Sequence, residues 1–171
     1  ITEFYDNMIL NYLKIHPTTC YINLSSGAVY GQEFRVPVSD NSISKLKINK
    51  INPGEMYSIS KIYSESKHRL LPDFNIVDLR IFGFFSKFID VNSGFFMSEL
   101  IKSLINKSEF VTDKENIVRD YVSPTDFYDL IKNCISFKKI NDVFDIYSKK
   151  PVSKFQLLEA FVNKFDLKFK S

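Results

Sequence analysis

Tyr57-Ser58-Ile59-Ser60-Lys61, set between Leu24-Ser25-Ser26-Gly27-Ala28-Val29-Tyr30-Gly31 upstream and Asn75-Ile76-Val77-Asp78-Leu79-Arg80 downstream, is the stretch that decides how this chain folds. A tyrosine and a lysine four residues apart lie about one turn from each other on one helix face. An ammonium beside a phenol favours the phenolate, so a tyrosine with an ordinary pKa of about 10 can become a general acid/base. A seryl hydroxyl delivered from a strand end can then orient the oxygen that reacts.

Spacing alone is a weak signal. With nine Tyr and nineteen Lys in the chain, about one Tyr-x-x-x-Lys arises by chance. Three occur, the others being Tyr63 with Lys67 and Tyr128 with Lys132. Context separates them. Tyr63 falls on the stripe of Ile59, Ile62, Ser66 and Leu70, the face predicted to turn inward, and reads as packing, whereas Tyr57 and Lys61 share another face. Tyr128 sits beside the stripe of Phe127, Leu130, Ile131 and Cys134, has no serine-bearing strand before it, and reads as helix surface.

Upstream, residues 2–15 carry Phe4, Tyr5, Met8, Ile9, Tyr12 and Leu13 at helical spacing, and predict a helix packed on a sheet that ends at His16-Pro17. His16 then reads as a boundary residue, not a metal ligand. Residues 20–24 predict a short buried strand whose end releases Ser25 and Ser26 into a loop, where open parallel sheets hold their active sites. Residues 32–56 lose periodicity, as a lid or binding loop does. Pro53-Gly54 predicts the start of the next helix, which runs to about Leu71 before Pro72-Asp73. Along it, Glu65 has no partner that the sequence names, and His68 is predicted exposed.

Residues 75–82 are rich in Ile, Val, Leu and Phe, as a strand covered on both faces is. Strand, helix, strand around Tyr57 is therefore a βαβ crossover in a parallel sheet. Farther on, residues 95–105 predict an amphipathic helix, and residues 109–112 and 117–122 two short strands. Ser123-Pro124-Thr125-Asp126 predicts a capped helix start with proline at its first position and an acid at its third. Residues 143–147 read as a last strand, and Ser153 with Gln156 as a capping box opening a last helix.

The order strand, Ser-Ser-x-x-x-Tyr-Gly, loop, Tyr-x-x-Ser-Lys, helix, apolar strand ending in Leu-Arg resembles the extended short-chain dehydrogenase/reductases. More narrowly, it is similar to their nucleotide-sugar epimerases, dehydratases and reductases. Arg119-Asp120-Tyr121-Val122 followed by Asp126 looks like that family's phosphate-contacting segment, which extends the resemblance over nearly the whole chain. The resemblance implies an α/β fold: the later part of a Rossmann-like parallel sheet with helices over residues 1–86, and a small α+β substrate-binding region over residues 87–171 whose last helices and strand return to the sheet.

For the site, the resemblance implies a catalytic trio of Ser26, Tyr57 and Lys61, with NAD or NADP held by Ser25, Tyr57, Lys61 and Phe82. Ser26, Gly27 and Arg119 would face a nucleoside-diphosphate sugar, and a guanidinium suits the bidentate grip on its diphosphate. The alternative for Arg119 is an ordinary surface salt bridge with Asp120. Family dehydratases carry an Asp-Glu pair directly after the hydroxyl residue. Here Gly27-Ala28 stands instead, so epimerisation or 4-keto reduction is expected over dehydration. Gly83 replaces the family's usual Asn in Arg80-Ile81-Phe82-Gly83-Phe84-Phe85.

Five glycines occur, and no three have the spacing of a dinucleotide-binding turn. The resemblance therefore implies a larger protein whose upstream βαβ units carry that turn. The competing reading is a non-catalytic interaction or dimerisation module of the same fold. Family members pair through the helix that bears Tyr-x-x-x-Lys, so a homodimer is expected under either reading.

A 44% apolar composition with seventeen Phe argues for a globular protein and against disorder. The formal charge of +3 is small. Lys138-Lys139, Lys149-Lys150 and the lysines after Lys164 are interrupted by Asp142, Asp145, Glu159 and Asp166, which reads as a solvated face and not as a nucleic-acid footprint. No apolar run approaches the roughly 18 residues of a membrane span and no basic-then-apolar leader is present, so a cytoplasmic protein is expected. Cys20 and Cys134 lie in apolar surroundings and read as free thiols.

Overall fold

Punctuation by proline, glycine and capping residues places most element boundaries. In the computed structural model, which describes residues 2–31, 37–39, 41–46 and 48–171, helix α1 spans Thr2–Ile15 and is followed by strand β1, Tyr21–Ser26. β1 runs into a single 3-10 turn, Gly27–Tyr30, and a second such turn spans Ile48–Lys50. The predicted loop at residues 32–56 lies partly outside the described residues. Helix α2, Glu55–Arg69, starts right after Pro53-Gly54, and β2, Ile76–Ile81, completes the crossover. Then come α3 (Phe96–Asn106), β3 (Phe110–Val111), β4 (Val118–Arg119), α4 (Pro124–Ser136), β5 (Asn141–Ile146), β6 (Val152–Ser153), α5 (Lys154–Phe165) and β7 (Phe169–Lys170).

Two caps stand as the sequence predicts. At α4, Ser123 Oγ accepts from the Asp126 N–H at 3.1 Å and donates to its carboxylate at 2.8 Å. At α5, Ser153 and Gln156 form a reciprocal capping box.

The chain divides into two compact units. One holds the chain up to Phe82 together with Phe127–Ile146, and the other holds Gly83–Asp126 with Tyr147–Ser171. In the first, β1, β2 and β5 form a parallel sheet in that order. Its rows run straight across: Asn23, Asp78 and Val143 share one level, and Ser25, Arg80 and Asp145 share another two residues on. Because strand side chains alternate, both rows present the same face. Ser25 and Ser26 are the last two residues of β1 and not part of a loop, because they pair with Arg80 and Ile81.

The inward stripe of α1 differs from the predicted one. Asp6, Leu10 and Leu13 are buried, with Ile9 packed beside them on Ile76, while Phe4, Tyr5, Met8 and Tyr12 face outward at 65%, 59%, 54% and 49% exposure. The polar residue inside and the aromatic residues outside share one cause, an ionic cluster built beneath the helix.

The second unit is apolar at its centre. Leu100, Phe110, Leu158 and Leu167 form its core, backed by Phe96, Phe155, Phe161 and Val162. Two-residue pairings, β3 with β7 and β4 with β6, frame it. Gly83 has a packing reason: a Cβ there would collide with the Asp120 carbonyl, so the family's Asn has no room at this position.

Both cysteines are free, and burial pushes each thiol up. Among the described residues no helix is long and apolar enough to cross a membrane, and no cluster of His, Cys, Asp and Glu could hold a metal ion.

Candidate active site

Ser26 ends β1 in extended backbone and caps the 3-10 turn, its Oγ accepting from the Ala28 N–H at 3.2 Å. That bond uses a lone pair and leaves the hydroxyl proton to donate elsewhere. Ser25, one residue earlier, is buried, and its hydroxyl donates to Glu65 Oε1 at 2.5 Å. Its side chain is thus spent inside the fold. Gly27 is needed where it stands, since a Cβ there would overlap the Phe82 ring. Phe82 in turn stacks on Tyr30 with ring centroids 6.3 Å apart.

Helix α2 lies against β1, β5 and the 3-10 turn. Its inward face is polar: Ser58, Ser64, Glu65 and His68 are buried, and Lys61 is half-buried on the same stripe. The apolar stripe expected to face inward does not. Tyr63 is 50% exposed and Leu70 80% exposed. His68, predicted exposed, is wholly buried. These corrections have one origin, since the sheet face under α2 carries Asp78 and Arg80 and so requires polar partners.

Each of the three Tyr-x-x-x-Lys pairs places its ammonium over its own ring, at 5.6 Å for Tyr57 with Lys61, 5.2 Å for Tyr63 with Lys67 and 5.3 Å for Tyr128 with Lys132. What sets Lys61 apart is where its ammonium is tied. Nζ donates to the Leu24 carbonyl at 2.7 Å, two residues before Ser26. Lys67 instead meets Asp6 and Asn7, and Lys132 meets Asp129 at 3.7 Å on the surface. The Tyr57 ring remains 55% exposed beside Lys61.

The same sheet carries two ionic clusters. Arg80 grips Glu65 through Nε at 3.0 Å and Nη2 at 2.6 Å, while its Nη1 donates to the Tyr30 hydroxyl at 2.6 Å. Tyr30 donates to Asp145 at 2.7 Å, and burial together with that bond pushes its phenol up to about 12. Burial works against the Arg80 charge, but Glu65 more than offsets it, so the guanidinium stays charged.

In the second cluster His68 bridges two carboxylates, with Nδ1 2.9 Å from Asp78 and Nε2 2.8 Å from Asp6. Burial alone lowers the imidazole pKa. The two carboxylates outweigh that and raise it to about 9, so both ring nitrogens carry protons and donate. Asp6 is correspondingly held below the usual carboxylate range, its own burial being outweighed by His68 and Lys67. Arg69 and Asn23 also bond Asp78, at 2.7 and 2.6 Å, and Tyr21 donates to Asp6 at 3.2 Å.

Glu65, His68 and Asp78 are residues to which motif reading gave no role, and Arg80 entered it only as the end of the Leu-Arg strand. Two charges inside an otherwise apolar strand were their visible trace.

Arg119 belongs to the other unit. It is exposed and donates to the Val118 carbonyl at 3.1 Å, while Asp120 accepts from the Ser148 N–H. The same unit has an open apolar hollow of about 550 Å³ lined by Phe84, Phe88, Ile89 and Pro124 with Ser86 and Lys87.

Residues 5–146 match the sequence profile of the NAD dependent epimerase/dehydratase family. The chain belongs to the NAD dependent epimerase/dehydratase family. No curated protein matches the sequence. Among solved structures, the UDP-N-acetylglucosamine 4-epimerase of Methanobrevibacter ruminantium, in complex with UDP-N-acetylmuramic acid, superposes with a TM-score of 0.78 at 20% identity, over 97% of this chain and 54% of that one. RMD from Pseudomonas aeruginosa, complexed with NADPH, gives 0.76 at 18% identity, over 96% and 59%. The UDP-glucose 4-epimerase of Thermotoga maritima with UDP-glucose gives 0.74 at 20% identity, over 96% and 54%. At these identities the likeness shows the epimerase/dehydratase fold, a Rossmann-like parallel sheet with helices. The chain spans little more than half the length of these structures.

Proposed function

We propose that the protein, together with a segment upstream of residue 1, is an NAD(P)-dependent epimerase or 4-keto reductase of a nucleoside-diphosphate sugar. The observation that carries this reading is the 2.7 Å bond from Lys61 Nζ to the Leu24 carbonyl, which ties the Tyr57 helix to the strand that ends in Ser26. Family membership and superposed structures holding UDP-sugars or NADPH support it.

In this reading Tyr57 takes the proton from a sugar hydroxyl, or returns it to a keto-sugar, while Ser26 donates its O–H to the same oxygen. The nicotinamide, when bound, supplies the hydride acceptor or donor. The chain's residues fit such a group. Lys61 has three N–H donors and the Leu24 carbonyl takes one, leaving the others for the nicotinamide ribose. Phe82 lines the same strand end against Gly27. The loop that would receive the pyrophosphate belongs to the upstream segment.

Gly27-Ala28 offers no acid or base for elimination, which disfavours dehydration. In this reading Arg119 holds the diphosphate through its guanidinium. A homodimer is proposed to form through α2, the helix that bears Tyr57 and Lys61, and light scattering should find a dimer.

The test is Tyr57→Phe in the full-length protein, with NAD, NADP and UDP-sugars as probes. Turnover should fall by about 10²-fold or more with the melting temperature unchanged. Retained turnover rejects the assignment.

A further inference from the structure

The inward stripe of α2 lacks the large apolar side chains that normally seat a helix. Ser58, Lys61, Glu65 and His68 descend it at helical spacing, and the last three meet the sheet at different levels, at Leu24, Arg80 and Asp78. Glu65 meets the row of Ser25, Arg80 and Asp145, which crosses all three strands one residue before Ser26. Each residue of that row has a partner: Ser25 and Arg80 both bond Glu65, and Arg80 and Asp145 both meet the Tyr30 hydroxyl in the turn after Ser26.

We infer that the Glu65–Arg80 pair is a positioning device, setting the register of α2 so that Lys61 and Tyr57 stand correctly against Ser26. The inference rests on the proposed function for the meaning of "correctly", but the geometry it describes does not. Glu65 is one turn beyond Lys61, so an axial slip at Glu65 of the 1.5 Å per residue of an α-helix passes directly to the lysine. A bidentate guanidinium–carboxylate pair fixes both translation and rotation, which a point-charge ammonium does not. Through Tyr30, the same guanidinium also holds the turn that Ser26 caps. Neither Glu65 nor Arg80 touches a substrate in this account. They act through Lys61 and Ser26.

The experiment compares Arg80→Lys with Leu13→Ala in the full-length protein. Leu13 is buried in the α1 core, apart from the row, and its truncation lowers stability without touching the latch. For Arg80→Lys we expect kcat per folded enzyme to fall about 100-fold, with KM for the UDP-sugar held within about threefold. Leu13→Ala should melt earlier and keep kcat.

Crystal structures of the wild type and of Arg80→Lys give a readout that needs no activity. In the variant, Lys61 Nζ should move out of hydrogen-bond reach of the Leu24 carbonyl. If Arg80→Lys merely melts earlier, keeps kcat and keeps that bond, the inference is overturned. If the wild type turns over no sugar nucleotide yet the bond opens in the variant, the latch stands and the proposed function fails. An unmoved bond in an inert protein overturns both.

Discussion

Helices α2 and α5 are each docked by one face, and the two faces have opposite chemistry. α5 is seated by Leu158, Phe155, Phe161 and Val162 on Leu100, Phe110 and Leu167, contacts that gain from area and hardly from angle. α2 is seated by Glu65 and His68 on Arg80, Asp78 and Asp6, contacts that exist only at one distance and direction. An apolar seat is strong and forgiving of small slips. A charged seat gives up desolvation energy and returns geometric definition. The helix that carries Tyr57 and Lys61 has the second kind, which suits the positioning role proposed for its Glu65–Arg80 pair.

The contrast can be broken most sharply at Asp78. Asp78→Ala leaves the buried His68 charge with Asp6 alone and takes the partner of half-buried Arg69, and should cost about 4 kcal/mol in urea unfolding. Leu158→Ala on the apolar side should cost about 3 kcal/mol through its cavity, with α2 and its contacts unchanged by amide exchange. The two losses should differ in their response to pH. Because the His68 pKa rises from 6.5 to about 9 on folding, its contribution is complete below pH 6.5 and is lost as pH climbs through 9, up to about 3 kcal/mol in all. Asp6, Asp78, Lys67, Arg69 and Tyr21 surround the ring from α1, β1, β2 and α2, and unfolding of His68→Gln should show no such alkaline decline. The smallest effect belongs to the α5 cap, where Ser153→Ala should cost about 1 kcal/mol and leave that pH dependence untouched.

The same contrast explains what the sequence made legible. Element order and most boundaries could be read because Pro17, Pro53-Gly54, Ser123-Pro124 and the Ser153 box are local signals with local causes. The apolar side of α5 obeys the rule that a helix hides its apolar face, since Phe155, Leu158, Phe161 and Val162 recur at the period of a buried face. For α2 that rule chose the wrong face, and for α1 it found Ile9 and Leu13 but missed Asp6 and Leu10. It assumes that a helix hides its apolar side, whereas here the interior already held Asp78 and Arg80, and the helices turned Asp6, Glu65 and His68 toward them. Ser26, Tyr57 and Lys61 stood out as a motif. Their support did not, because Glu65 with Arg80 and His68 with Asp6 are pairings across sequence distances that periodicity does not encode.

The overlap between a Cβ at position 27 and the Phe82 ring also bears on how this site could change its chemistry. Installing a carboxylate after Ser26, the substitution that would equip it for eliminating water, collides with that ring before it can act. The Phe82 ring must shift or be replaced by something smaller, so changes at positions 27 and 82 are coupled.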